Sequence, residues 1–422
     1  MESWIKHALD TMYTDLPPGM DWDDYQGYDL QGWLSPEPPE GIVTPRNLRR
    51  KADPEETFET DHFLLNLGPS HPAMHGALRM IVELNGEMVM SGEAHVGFLH
   101  RGIEKLAESR RYNAIGTLMD RGDYATSIMG EWAFARSVEK LGEIEVPERA
   151  EWIRTVAAEV NRLSSHYLWL GPVGLDSGAM GSFLYMMRDR EMALEMLEAL
   201  TGSRMMFNYI RPGGVAMDWN REGEEKLRTY LEKADEYLDE HWEVLIDSEL
   251  FQQRVMGVGV VPHEMALSFA ATGFVARASG IDWDLRRDRP YGYYDKLDFD
   301  VLSLTDGDIW ARVLVRYDEM KQSIRMLKQL LEMGPPPGDH MAKLPRILRL
   351  PEGEAYASVE GARGELGVHL YSTGGDTPYR MRYRPPIQFH LAIADTIAPG
   401  QWLADAILSY ASFDFCFGEV DR

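Results

Sequence analysis

The 422-residue chain holds a single cysteine, Cys416. That excludes an intrachain disulfide framework and any four-thiolate metal site built from this chain alone. No uncharged apolar run reaches the roughly 18–20 residues that span a bilayer. The N-terminal stretch MESWIKHALDTMYTDL has neither a basic n-region nor a continuous apolar core, so no secretory signal is expected. Positive charge is scarce: 43 Lys and Arg stand against 68 Asp and Glu, a net charge of −25. That balance disfavours nucleic acid and a direct grip on anionic lipid. Any membrane or cofactor role is therefore expected to run through partners. Internal repeats, low-complexity tracts and a dinucleotide fingerprint are absent. What is present, 44% hydrophobic and 26% charged residues, is a globular composition. At roughly 150 residues per domain this length suggests two to three domains.

Residues 1–60 differ from the rest. They hold 13 acids, 5 bases and 7 of the 23 prolines. They also hold Trp4, Tyr13, Trp22, Tyr25, Tyr28 and Trp33, more aromatics than a purely solvated tail carries. We read this segment as an acidic arm that orders against a partner surface. Residues 61–100 read as β-rich, with Asn85-Gly86-Glu87 as a hairpin turn between apolar alternations. From 101 to 334 the period is helical. Trp152, Val156, Val160, Leu163, Tyr167 and Leu170 step by three or four, and Pro147 suits a helix start. Trp310, Val313, Tyr317, Met320, Ile324, Leu327 and Leu331 repeat the pattern, and stretches 102–118, 183–200 and 223–246 are helical in character. Long amphipathic helices with short connections predict a bundle. Residues 335–422 form a mixed segment, with short apolar alternation over 353–390. The expected fold is α+β: an N-terminal antiparallel sheet, a central long-helix bundle and a C-terminal mixed α/β segment.

Three constellations carry possible chemistry. Gly68-Pro69-Ser70-His71-Pro72-Ala73-Met74-His75-Gly76 is a Gly/Pro-rich loop with two histidines four apart. Such a loop approaches a ligand through side chain and backbone. A zinc pair is the alternative, but Pro72 opposes the helix that such a pair usually needs. In Arg121-Gly122-Asp123-Tyr124, a tyrosine beside an acid and an arginine could donate a proton in a dry pocket, or simply form a turn. Gly171-Pro172-Val173-Gly174-Leu175-Asp176-Ser177-Gly178 reads as a break between helices, placing Asp176 at an inter-helical mouth. The run Arg188-Asp189-Arg190-Glu191 reads as a salt-bridged helix face, and Cys416 as a buried hydrophobe.

In order along the chain stand LNLGPSHPAMHGALR, HVGFLHRGIEKLAESRRY, RGDY, LDSGAM, FLYMMRDRE, NYIRPGGV, RASGIDWDLR, ARGELG and a terminal GEVDR. Over residues 62–422 this series resembles the quinone-site subunit family of respiratory complex I, the D subunits of NADH–quinone oxidoreductase. That family is related to the large subunit of nickel–iron hydrogenases. The resemblance puts Asp123, Thr126, Cys416 and Glu419 at the positions of the four hydrogenase thiolates. One thiolate of four remains, and Asp, Thr and Glu do not offer the soft ligands that nickel and iron need there. Hydrogen activation is therefore rejected, and this chain is expected to bind no metal.

The resemblance further implies that Tyr124, His75 and Asp176 form the headgroup site, Asp176 being the acid that pairs with His75. His71 belongs to the same loop. Arg101 and Arg121 match arginines near a terminal 4Fe–4S cluster, which a partner resembling the B-type iron–sulfur protein of complex I must bind. The implied function is that of one component of a membrane-bound, proton-translocating NADH–quinone oxidoreductase. The implied neighbours are proteins of the B and C types and membrane proteins of the H and A types. The implied location is peripheral, on the cytoplasmic side of the cell inner membrane. The alternatives are the equivalent component of a ferredoxin-fed complex and a scaffold that has lost its site; His75, Tyr124 and Asp176 together oppose the latter. Two departures stand out. Only GPPPGDHMAKLPRILRLPEG stands where the family often has a longer segment with a helix. Met206 stands where the family often has a histidine beside the cluster, which favours a low-potential quinone of the menaquinone type.

Overall fold

The computed structural model describes residues 62–68 and 75–422. The expected arm at 1–60 and His71 lie outside the described residues.

The first element is the antiparallel sheet β1 (His62–Leu67), β2 (Arg79–Asn85) and β3 (Met88–His95). Its hairpin turns where the Asn-Gly signal predicts, with Asn85 opposite Met88 and Gly86 at φ 60°. Met80, Val82, Leu84 and Val89 are buried on one face. They rest on helices near the C-terminus, and Val89 exchanges backbone hydrogen bonds with Gln401 and Gly400 at 2.9 and 2.8 Å.

Helices follow: α1 (Ile103–Ala107), α2 (Tyr112–Met119), α3 (Ser127–Gly142), α4 (Glu148–Asp176) and α5 (Met180–Thr201). Pro147 caps α4 with φ −59°, and Glu148 and Glu151 occupy its first turn, where the helix dipole favours acids. The predicted break at Gly171–Gly178 falls later than expected. Helix α4 runs through Pro172 to Asp176, and only Ser177–Ala179 connect it to α5. The glycines serve helix packing instead of chain reversal. A Cβ on Gly174 would lie 2.3 Å from the Ser182 hydroxyl of α5, and one on Gly171 would lie 3.2 Å from Met187 and Phe183. The stretch 223–246 divides into α6 (Arg221–Leu231), α7 (Ala234–His241) and a π turn at Trp242–Ile246.

After short helices α8 (Glu249–Val255), α9 (His263–Ser268), α10 (Gly273–Ala278) and α11 (Leu285–Asp288) comes α12 (Ile309–Met333). Its N-cap Asp308 accepts from the Ala311 N–H at 2.8 Å, and Gly334 at φ 70° ends it. Helices α4, α5 and α12 form the core, with Trp152, Val156, Leu163, Tyr167, Met320 and Leu327 among the fully buried side chains. The segment 334–353 adds no helix. It runs beside the two-residue strand Gly214–Val215, where the Val215 N–H donates to the His340 carbonyl at 3.0 Å.

A second antiparallel sheet joins Glu352–Gly361, Gly364–Thr373 and Arg380–Arg384. Gly361 pairs with Gly364, so Ala362 and Arg363 form the tip of a tight hairpin. Gly364 stands at φ 132°, and a Cβ there would lie 2.9 Å from the Thr272 carbonyl carbon, so the tip packs close enough to exclude a side chain. Helices Ile387–Ile397, Leu403–Ser412 and Phe417–Asp421 complete the chain. The sheet, helices and second sheet form the α+β fold expected.

Candidate functional site

The C-terminal segment Phe413–Arg422 is almost wholly buried and stitches distant parts together. The His75 N–H donates to the Phe415 carbonyl at 2.8 Å, and the Phe417 N–H donates to the His75 carbonyl at 2.8 Å. This short parallel pairing sets His75 beside Cys416. Asp421 takes the Gly97 and Leu99 N–H groups at 2.8 and 2.7 Å, so GEVDR also fixes the segment before Arg101.

Tyr124 stands on the loop between α2 and α3. Asp123 shapes that loop by accepting from the Ala125 N–H at 3.2 Å and from the Thr126 hydroxyl. Glycines let the strands of this site close in. A Cβ on Gly76, at φ 107°, would lie 3.2 Å from the Tyr124 hydroxyl, 3.2 Å from Leu99 and 3.2 Å from Phe417. A Cβ on Gly418 would lie 2.7 Å from the Gly122 carbonyl. The Tyr124 hydroxyl thus lies against Gly76, the residue after His75, although Tyr124 follows His75 by 49 positions.

Nε2 of His75 lies 3.3 Å from Oδ1 of Asp414. Asp176 closes helix α4, half-buried, with contacts of its own. Asp414 sits in a clamp that sequence spacing does not reveal. Arg363, from the hairpin tip, donates through Nη2 to Oδ1 of Asp414 at 2.9 Å and through Nε to its carbonyl at 2.8 Å. Its Nη1 donates to Asp123 at 2.6 Å. Arg316 of α12 reaches Oδ2 of Asp414 at 2.7 Å while stacking on Trp169 and Phe274, 4.4 and 4.0 Å from their ring centres. Arg363, Asp414 and Arg316 were not picked out from the sequence. The ARGELG motif contains the first, and Arg312 and Arg316 lie four apart on a helix, the only signals that could have found them.

The electrostatics follow from burial and this clamp. Burial alone would raise the Asp414 carboxyl, but Arg363 and then Arg316 hold it well below the usual carboxylate range. Burial first, then Asp123, pushes Glu419 well above its ordinary value. Burial first, then Cys416, pushes Tyr124 up, so its hydroxyl stays neutral and able to donate. Burial first, then Asp123, likewise raises the Cys416 thiol. Of the four positions that the resemblance aligns with hydrogenase thiolates, Asp123, Cys416 and Glu419 act on one guanidinium, Arg363, which pairs directly with Asp123. Among the described residues no group of three or more His, Cys, Asp or Glu is placed to hold a metal ion.

Arg101 and Arg121 lie together. A guanidinium N–H of Arg101 donates to the Arg121 carbonyl, and the Gly102 N–H donates to the Arg422 carbonyl at 3.0 Å. Partial burial first, then the Arg121 charge, lowers the Arg101 pKa. The Arg188–Glu191 run is the salt-bridged face expected: Arg188 pairs with Asp189 at 2.6 Å and Glu240 at 2.6 Å. No helix among the described residues is long and apolar enough to cross a membrane.

Comparison with known proteins places these features in a family. The family model described as "Respiratory-chain NADH dehydrogenase, 49 Kd subunit" matches residues 176–348 and 339–422. The D subunit of NADH-quinone oxidoreductase from Clostridium beijerinckii is 42% identical over 368 residues, covering 87% of this chain and 99% of that protein. The D subunit from Carboxydothermus hydrogenoformans is 42% identical over 364 residues, covering 86% of this chain and 100% of that one. Among solved structures, a chain of the membrane-bound sulfane sulfur reductase, an archaeal respiratory membrane complex, superposes with a TM-score of 0.83 at 33% identity, covering 87% of this chain and 100% of that one.

Proposed function

The chain belongs to the 49-kDa, or D-type, family of respiratory-chain NADH dehydrogenase subunits, and we propose that it forms the quinone-headgroup site of such a complex. Reducing a quinone to a quinol takes two electrons and two protons. The electrons come from a 4Fe–4S cluster in the neighbouring B-type iron–sulfur protein, past Arg101 and Arg121, whose positive charge favours the reduced cluster. The Tyr124 hydroxyl donates one proton to one quinone oxygen. His75, beside Asp414, donates the other to the opposite oxygen. The observation that carries this reading is the placement of the Tyr124 hydroxyl against Gly76, the residue after His75, with Asp414, which two arginines hold, 3.3 Å from the His75 imidazole. Asp176 is the acid that the resemblance pairs with His75, and His71 belongs by sequence to the same loop.

After the protons leave, Asp414 is balanced by Arg363 and Arg316 alone. That change in local charge is the event that neighbouring membrane proteins of the H and A types read out as proton translocation, with a C-type protein packed alongside. The chain sits on the cytoplasmic side of the inner membrane as a peripheral component. The fold alone does not choose the acceptor, since a complex named for sulfane sulfur reduction shares it. The donor and acceptor sides are therefore tested on the complex itself. Isolating it with its partner proteins decides between NADH and ferredoxin as donor. Tyr124→Phe should assemble normally, because one hydroxyl and little volume are lost. Its quinone reduction should fall on the order of 100-fold or more; normal turnover in the assembled variant would remove Tyr124 from the mechanism.

The quinone is of the menaquinone type on this reading. Met206 carries no titratable proton, so it cannot offset an electron arriving on the adjacent cluster. A cluster without that compensation has a lower midpoint that barely depends on pH, which suits a low-potential acceptor. In an EPR redox titration, a wild-type slope approaching roughly 59 mV per pH unit would refute this, whereas Met206→His should create such a slope.

A further inference from the structure

Asp120 and Glu131 meet beneath the loop that carries Tyr124. Asp120 opens that loop after α2, Glu131 stands in the second turn of α3, and they are 3% and 0% exposed. They accept from the N–H groups of three consecutive residues, Asn208 for Asp120 and Tyr209 and Ile210 for Glu131, which sets the two carboxyls side by side. Two ionised carboxylates side by side in a dry site repel and have no hydrogen to share; a single proton between them removes both difficulties. Backbone from a third segment fixes the pair. The Asn208 N–H donates to Asp120 at 3.1 and 3.3 Å, and the Tyr209 and Ile210 N–H groups donate to Oε2 of Glu131 at 2.7 and 2.6 Å. Oε1 of Glu131 is buried and has no hydrogen-bond partner, so one oxygen of the pair is left for a shared proton.

The surroundings do not supply a counter-charge in contact. Arg121 and Arg211 act on Asp120 through space. Tyr209 spends its hydroxyl on the Met217 carbonyl at 2.8 Å. Among the described residues no Lys or Arg side chain hydrogen-bonds either carboxyl. Meanwhile the anchored segment is costly to hold, since Met206 and Asn208 stand at φ 58° and 43°, in the left-handed region.

We propose that Asp120 and Glu131 share one proton, and that this protonated pair is the positioning device that docks the loop bearing Arg121 and Tyr124 onto the segment Met206–Ile210. Burial first, and for Glu131 then the contact with Asp120, raises both groups above their ordinary values, which agrees with a proton held at neutral pH. Loss of that proton would leave two like charges in contact in a dry site and push the loop from its support. The effect on turnover rests on the reading of Tyr124 as proton donor; the shared proton and the docking do not.

The test uses the intact complex carrying Glu131→Gln, Asp120→Asn or Glu131→Ala. Infrared difference spectra at pH 7 against each amide variant should show a protonated-carboxyl band in the wild type that either amide removes. No such band would overturn the proposal. Hydrogen exchange of the peptide spanning 206–212 should stay within about threefold of wild type in Glu131→Gln, whose amide still offers a hydrogen to Asp120. In Glu131→Ala that protection should drop about tenfold or more; equal protection in both variants would overturn the docking role. Quinone turnover should fall in Glu131→Ala and return within about twofold in Glu131→Gln. If Tyr124→Phe proves active, the turnover arm falls with that reading, while the infrared and exchange arms still judge the pair.

Discussion

Two clusters of buried charge lie in this chain, and they are built differently. Inside the bundle, Arg162, Arg277 and Arg286 meet Glu159, Asp284, Glu319 and Glu360, with His166 3.0 Å from Glu319. Seven of these eight residues are at most 2% exposed and Glu319 only 5%, and they tie α4, α10, α11 and α12 to the second sheet. The second cluster is Arg363 and Arg316 with Asp414 and Asp123, and it opens onto His75, whose side chain is 10% exposed, and onto half-buried Tyr124. Each cluster has one acid pushed up: Glu360 to about 7, by burial and then by Asp284, and Glu419 well above its usual value, by burial and then by Asp123. The contrast lies in access. An ion network sealed on every side can only hold elements together, whereas the same chemistry beside accessible proton donors can change charge during a reaction.

Breaking the sealed network should have the largest effect. Arg277→Met takes one cation from three buried carboxylates, Asp284, Glu319 and Glu360, and losing one partner of a buried pair typically costs about 3–5 kcal/mol. Little assembled complex should be recovered on purification; full recovery would show that the network is dispensable. The same kind of break in the open cluster should be milder for folding and specific for activity. Asp414→Asn leaves an oxygen for Arg363 but removes the charge opposite His75. We expect assembled complex with quinone turnover reduced roughly tenfold or more, and wild-type turnover would discard Asp414 as the histidine's partner.

A pH series separates the sealed interior from the site. Burial lowers the pKa of His166 to about 4 and of His390 to about 3. A histidine whose folded pKa lies below its unfolded value binds fewer protons when folded. Its contribution is therefore complete above about 6.5 and is lost as pH falls toward those values. Thermal midpoints of the complex should drop from pH 7 to pH 4.5, with a shallower fall in His390→Leu. A parallel fall in wild type and variant would refute the assignment. The smallest effect is expected at Cys416. Its thiol is buried and held protonated, so maleimide should not label the folded complex at pH 7.5. Cys416→Val should change turnover less than about threefold; rapid labelling or a large loss would give this cysteine a role.

Much of the fold was legible from local pattern. The Asn-Gly hairpin, the Pro147 start of α4 and the Gly334 end of α12 each rest on backbone chemistry within a few residues. The apolar steps of α4 and α12 located the core correctly. They hid its charged half, because Arg154, Glu159, Arg162 and His166 of α4 and Arg312, Arg316 and Glu319 of α12 are buried too. Periodicity assigns polar residues to solvent and does not register partners brought in from other elements. The Gly171–Gly178 segment misled for a related reason. Glycines that permit close helix packing look, in one dimension, like glycines that turn a chain.

The sequence by itself determined the element types, the acidic charge, the loss of the metal-ligand set and the motifs that carry Tyr124, His75 and Asp176. Only the tertiary structure decided that Asp414 faces His75, that a hairpin tip delivers Arg363 between Asp123 and Asp414, and that Asp120 meets Glu131 under Asn208–Ile210. The physical reason is range. Helix and turn propensities act over a few residues, while His75 and Asp414 lie 339 positions apart and meet only because the C-terminal segment pairs with the histidine loop.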